Sequence, residues 1–258
     1  RKSIVSCVSD FSAKGVKPVF GIVSLTIPKK LSRSSIESLA KGFQKGASEF
    51  GLKIIGGDTN EGRELVITFS LFGTTKKIVN RRGAKVDHVI ITSGSFGYTG
   101  AGLTILLKNK KSSKKFRTKA KNAVFKPRCR LLFGLKNKKY LSSSMDSSDG
   151  LSTTLNEMSS QSKKKFIITS MPSENDVLEF AILNKLDPND LILNGGEEYE
   201  IVGTTSKSNL PKIKNHARKH KIKLHEIGYV TKGRGVFYKR NGKLVRIKDK
   251  GWQHLQKR

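Results

Sequence analysis

Two successive blocks of the chain alternate short β-branched apolar runs with stretches of helical periodicity, and that alternation restricts the fold to layered α/β architectures more tightly than any other feature. In the first block, VFGIVSLT at 19–26 is closed by Pro28 and reads as a buried strand. A helix is predicted next. Ser34 and Glu37 have capping-box spacing, Ile36, Leu39, Ala40, Phe43, Ala47 and Phe50 recur at helical intervals, and Gly51 stands where a left-handed cap belongs. A short strand at 53–55, a turn at Gly56-Gly57-Asp58-Thr59 and a longer strand at 64–72 complete the block. The first ten residues, RKSIVSCVSD, predict the end of a strand already under way. The basic, polar segment 76–85 sets a boundary, giving domains at 1–80 and 81–258.

The second block predicts strands at 89–92, 166–169, 199–204, 224–230, 236–238 and 244–247, with helices at 100–107, from Ser152, at 176–186 and at 210–220. Gly94 to Gly97 is a glycine-rich turn opening a helix, where free N–H groups favour anions, although it lacks the Gly-Lys-Ser/Thr ending of a phosphate loop and serves equally as a structural turn.

Composition narrows the function classes. The formal charge of +31 suggests a polyanionic partner, but the lysines are spread over helix faces and loops. The one dense run, at 108–122, carries only Phe116 as an aromatic, so neither a stacking groove nor a docking element for nucleic acid is present. Nucleic acid is therefore not expected as a partner. Cys7 and Cys129 are far apart and have no metal-ligand spacing, which fits a reducing cytoplasm. No apolar run approaches the roughly 20 residues that span a bilayer.

Against this basic background stand four acidic clusters: Ser9-Asp10, Gly57-Asp58-Thr59, Asp146-Ser147-Ser148-Asp149-Gly150, and Gly195-Gly196-Glu197-Glu198-Tyr199-Glu200. Their small neighbours allow close approach to an ion, and hard divalent cations such as magnesium take oxygen ligands. Each has a plainer alternative. Asp146 and Asp149 have the residue type that caps a helix beginning near Ser152, Asp10 suits a cap or a lysine partner, and Asp58 suits a turn.

Taken in order, VSDFSAKGVKPVFGIVSLTIP, IIGGDTNEG, RRGAKVDHVIITSGSFGYTGAGL, SMDSSDGL and GGEEYEIVGTT resemble the motifs of the thiamine-monophosphate kinases, over essentially the whole chain. GGDTNEG has an archaeal flavour. The resemblance implies an α/β (α+β), two-domain fold of the aminoimidazole-ribonucleotide-synthetase type, a homodimer formed through N-terminal sheets that meet as a barrel, and a cytoplasmic enzyme. It also implies that the γ-phosphoryl group of ATP passes to thiamine monophosphate, with Mg2+ and ATP in the cleft between domains.

By the same resemblance Asp10, Asp58, Asp146 and Asp149 are metal ligands, Gly57, Asp58, Arg81 and Ser148 contact ATP, and Glu197 and Trp252 contact the substrate. Trp252 equally suits a residue that closes the core. Two positions depart from the family pattern: Glu198 replaces the usual Asp after Gly-Gly-Glu, and Lys14 replaces an apolar residue. The family's first strands, with further carboxylates, are expected before Arg1, so the N-terminal domain is expected to be incomplete and the fragment weakly active or inactive. Within the superfamily, selenophosphate synthetase and hydrogenase-maturation proteins remain alternatives. None of His88, His216, His220, His225 and His254 falls in a motif.

Overall fold

In the computed structural model, residues 1–252 are described; His254 lies outside them. The chain forms two sheets. The smaller has three strands in the order β2-β1-β3, drawn from β1 (Lys17–Ile27), β2 (Lys53–Glu61) and β3 (Val66–Thr74). β1 is parallel to β2 and antiparallel to β3. Two helices, α1 (Lys2–Lys14) and α2 (Arg33–Phe50), cover one face. Ile4 and Val8 of α1 and Phe43 and Ala47 of α2 pack there on Phe69, Val23, Leu25 and Ile67.

The expected opening strand is instead α1. The β-branched Ile4, Val5 and Val8 suggest strand by composition, but the buried positions 4, 5, 8, 9, 12 and 13 recur at helical spacing, and Gly15 ends the helix in the left-handed conformation. Nor does a turn interrupt residues 56–59, because β2 runs unbroken through Gly57-Asp58-Thr59. Its glycines serve a bulge and a close approach: the register shifts by one residue between Ile54 and Gly56, and a Cβ on Gly57 would collide with the Val23 carbonyl. In α2 the expected cap moves two residues upstream, since Ser32 rather than Ser34 accepts the Ser35 N–H; Gly51 is left-handed as predicted.

Side chains alternate across a sheet, so the residues between the α1-facing positions point the other way. Phe20, Ile22, Val66 and Phe72 lie on that open face and are each 39–50% exposed. Asp58 is level with Ser24 and Thr68, and therefore shares this face.

The larger sheet has the order β10-β9-β6-β8-β4-β7-β5, built from β4 (Val89–Thr92), β5 (Leu141–Asp146), β6 (Lys165–Ile168), β7 (Ile201–Thr205), β8 (His225–Thr231), β9 (Gly235–Arg240) and β10 (Lys243–Arg246). All its pairs are antiparallel except β6 with β9. One face buries α6 (Leu151–Ser162) through Leu151, Leu155 and Met158 against Phe166, Ile168 and Val230. The other holds α5 (Leu131–Asn137) and α9 (Leu210–Lys219) through Phe133, Leu210 and Ile213. Each such side chain, once buried, contributes roughly 1.5–3 kcal/mol.

Helices α3 (Tyr98–Lys108), α4 (Lys114–Phe125), α7 (Asn175–Leu183) and α8 (Pro188–Asn194) form a further layer around Phe116 and Phe180. Helices α4, α5 and α8 are not among the expected elements; the first holds so many lysines that its apolar stripe of Phe116, Ala120 and Val124 is obscured. The two sheets are joined where α1 packs on α5, close enough that a Cβ on Gly134 would strike the Ser12 carbonyl.

Candidate active site

The contact between α1 and the large sheet brings two of the acidic clusters together. Ser9, buried on the inner side of α1, donates its hydroxyl to Asp146 Oδ2 at 2.7 Å, at the end of β5. Asp10, the next residue, is exposed and adds its charge to that of Asp146. Burial, and then the Asp10 carboxylate, push Asp146 up to about 6. Lys14 lies one turn beyond Asp10 and faces the same pair; burial, followed by Arg81, lowers its pKa. Arg81 also approaches Glu157 of α6 at 3.8 Å. Two acids and two bases thus meet at the domain junction. Among the described residues the buried Ser147 hydroxyl beside Asp146 has no hydrogen-bond partner, an orphaned oxygen of the kind a ligand satisfies.

Ser148, Asp149, Glu197 and Trp252 come together in a neighbouring cleft of about 750 Å3, with Tyr199 and Leu103. Asp149 does not cap α6, whose N-cap is Gly150 with no side-chain bond, and Asp146 is committed to Ser9. The capping alternative therefore fails for both. The C-terminal segment folds back so that the Trp252 N–H donates to the Asp149 carbonyl at 2.9 Å, and its side chain, 54% exposed, lines the cleft rather than closing the core. Glu197 accepts from Lys2 Nζ at 2.6 Å, and Tyr199 donates its hydroxyl to Glu197 at 3.4 Å while feeling the charge of Asp146. Tyr199 thereby connects the cleft with the carboxylate pair, and burial raises its pKa. The sequence reading did not assign Tyr199 a role; its place inside Gly-Gly-Glu-Glu-Tyr-Glu was the available signal.

Within one chain, Gly57 and Asp58 do not join this assembly. Asp58 accepts from its neighbours, the Thr59 N–H at 2.9 Å and Asn60 Nδ2 at 2.7 Å, on the open face of the small sheet. Among the described residues no group of three or more His, Cys, Asp and Glu side chains is placed to hold a metal ion. The carboxylates expected to bind metal and substrate are therefore, in one chain, a junction pair, a cleft pair and a detached Asp58.

The remaining glutamates have structural partners that the sequence did not show. At the start of α3, the Gly97 and Thr99 N–H groups donate to Glu198 Oε1 at 2.7 and 3.1 Å, so the anion favoured there is supplied by the chain itself. Part of Glu198 reaches solvent, but its carboxyl lies deep among protein atoms, and burial raises it to about 7 despite those two donors. A carboxyl raised in the folded state holds its proton more tightly there than in the unfolded chain, whose value is 4.5, so stability falls as pH rises from about 4.5 to about 7. Glu198→Gln keeps the acceptor and is expected to flatten that slope in denaturation series run across this range; an unchanged slope would assign the effect elsewhere. Glu200, 6% exposed, accepts from Arg130 Nε and Nη2 at 2.7 and 2.5 Å and from Ser93 Oγ at 2.6 Å.

The chain matches two family models, AIR synthase related protein, N-terminal domain, over residues 1–75 and AIR synthase related protein, C-terminal domain, over residues 85–240. It is 52% identical to the thiamine-monophosphate kinase of Nitrosopumilus maritimus (strain SCM1), an alignment covering 99% of this chain and 82% of the relative. It is 34% identical to that of Pyrococcus horikoshii, over 99% of this chain and 79% of the relative. Among solved structures, AaThiL complexed with AMPPCP and TMP superposes with a TM-score of 0.85 at 29% identity, covering 97% of this chain and 78% of that one.

Proposed function

The chain belongs to the thiamine-monophosphate kinase family, and on that premise we propose which of its residues serve the reaction and how. The activity is transfer of the ATP γ-phosphoryl group to the phosphate of thiamine monophosphate, giving thiamine diphosphate and ADP. The observation that carries the assignment of parts is the meeting of Asp10 and Asp146 beside a cleft lined by Ser148, Asp149, Glu197 and Trp252.

The thiamine rings are assigned to that cleft. It has the size of a ligand pocket, an indole for stacking, and Glu197 and Tyr199 as polar anchors. ATP is assigned to the junction, near Arg81 and Ser148, with Gly57 and Asp58 reaching it only from a second copy of the chain. The acceptor is a phosphate monoester with a second pKa near 6, largely dianionic at neutral pH, so its own oxygen attacks and no general base is needed. In support of this reading, His88, His216 and His225 bond through ring nitrogens to Ser142, Asn137 and Ser95 at 2.7, 2.9 and 3.0 Å, and none of the three bonds to the carboxylate pair among the described residues.

Bringing two polyanions together requires positive charge. Mg2+ fits the junction: Asp10, Asp146 and the unpartnered Ser147 hydroxyl are all oxygen donors, and magnesium commonly takes one or two carboxylates with phosphates and water completing its shell. Asp149 and Asp58 are the further candidate ligands. When bound, the metal supplies neutralisation of phosphate charge. Lys14 and Arg81 stand beside the same point as fixed cations.

The open apolar face of the small sheet, with Phe20, Ile22, Val66 and Phe72, supports a homodimer in which two such sheets cover each other. That arrangement would seat Asp58 against the second copy. The domain division at 80/81 and a cytoplasmic location complete the proposal; no helix among the described residues is long and apolar enough to cross a membrane.

Incubation of the protein with ATP, Mg2+ and thiamine monophosphate tests the reading, with thiamine diphosphate formed only when all three are present and thermal stabilisation by thiamine monophosphate with AMPPCP. ATP consumption indifferent to thiamine monophosphate, together with no such stabilisation, would reject it.

A further inference from the structure

Behind the substrate cleft, across the segment Glu197–Glu200, lies a second cavity of about 460 Å3, with Glu197 common to both. Six basic side chains line it: Lys119, Lys126, Arg128, Arg130, Lys221 and Lys223. Three are committed to carboxylates, Lys119 to Asp176 at 3.1 Å, Arg130 to Glu200 at 2.5 Å and Lys223 to Glu174 at 2.7 Å. Lys126, Arg128 and Lys221 have no acidic partner within 4.0 Å among the described residues.

The acids in the walls are already satisfied. Glu198 is held by the start of α3, Glu200 by Arg130 and Ser93, and Glu174 by Ser95 and Lys223. Ser95 is no nucleophile here: its hydroxyl donates to Glu174, which leaves His225 as the donor to Ser95 and not its base. What remains in the cavity is three cations without an acidic partner within 4.0 Å among the described residues, from two separate parts of the chain, 126–128 and 221, around one hollow that Glu197 also lines. Such convergence gives the hollow a positive potential that favours anions, and guanidinium and ammonium groups bind phosphate oxygens well.

We infer that this cavity is a second anion site, distinct from the thiamine and nucleotide sites, for a small multivalent oxyanion of the diphosphate type. Lys126, Arg128 and Lys221 contact the ligand, and the Glu174, Glu198 and Glu200 pairs hold the surrounding walls.

Inorganic pyrophosphate is the probe, titrated calorimetrically into the protein saturated with AMPPCP and thiamine monophosphate. Saturable binding is expected, weakened about tenfold or more in Lys126→Ala/Arg128→Ala and again, independently, in Lys221→Ala. All three side chains are exposed, so an unchanged melting temperature is expected to show that the variants fold. No saturable heat in the wild type overturns the inference. So does binding of equal affinity in both variants, which places pyrophosphate in the nucleotide site, and so does an affinity that potassium chloride abolishes equally in all three proteins, which marks general attraction to a basic surface.

Discussion

Asp146→Asn is expected to lower turnover by about 100-fold or more and, at the same time, to raise the melting temperature. The two effects come from one cause. Asp146 is 4% exposed and faces the charge of Asp10, so its ionised form is unfavourable in the folded chain and its carboxyl is raised to about 6 from 3.8. At pH 7 that conflict weakens the fold, and an amide, which still accepts from Ser9, removes it. The negative charge that strains the apo protein is what a divalent cation and two phosphates require, and losing one well-placed charge-stabilising group costs two to three orders of magnitude in comparable sites.

The stability gain grows as pH rises from about 4 to about 6, is full above about 6, where the wild-type carboxylate is ionised in both states, and vanishes below about 4, where both states of the wild type are protonated. Melting curves at pH 4 and pH 7.5 check this, alongside kcat for thiamine diphosphate formation. Asp149→Asn separates the two effects, because among the described residues the Asp149 side chain accepts only a 3.3 Å bond from its neighbour Ser148: activity falls and stability stays. Variants of both residues that retain wild-type turnover would remove these carboxylates from the mechanism.

Arg130→Met is expected to be the most destabilising single change near the site, at about 3 kcal/mol. Among the described residues the substitution leaves the buried Glu200 with only Ser93 as partner, and an uncompensated buried carboxylate costs about 3–5 kcal/mol. The lower end applies because the guanidinium is 28% exposed. Urea denaturation measures the loss. Adding Glu200→Gln should recover most of it, since the charge without a partner is then gone; a double variant as unstable as the single one would assign the loss to packing of the arginine stem.

Local rules explain where the sequence was legible. Val19 to Thr26 forms a strand and Gly51 a left-handed cap because their determinants, β-branched apolar runs and a missing Cβ, act within a few residues. Misreadings arose where a local preference was overridden. Ile4 and Val8 favour strand by residue type, yet burial against Phe43 and Phe69 requires a helical face. Gly56 and Gly57 resemble a turn, yet they let β2 bulge and pass close to Val23 within a continuous strand. The run around 108–122 resembles a solvated charge cluster, yet Phe116, Ala120 and Val124 carry α4 into a core.

The sequence by itself determined the family, the two α/β blocks and the identity of the candidate carboxylates, because these are properties of residue type and order. Only the tertiary structure decided their company: Asp146 with Ser9 and Asp10, Asp149 with Glu197 and Trp252, and Asp58 alone on an open sheet face. Spacing along the chain contains no information about which side of a strand a residue occupies once a bulge has shifted its register, or about which remote charge lies across a packed interface. Those facts follow from the sum of contacts that seat α1 between the two sheets, and field, burial and pKa arise only there.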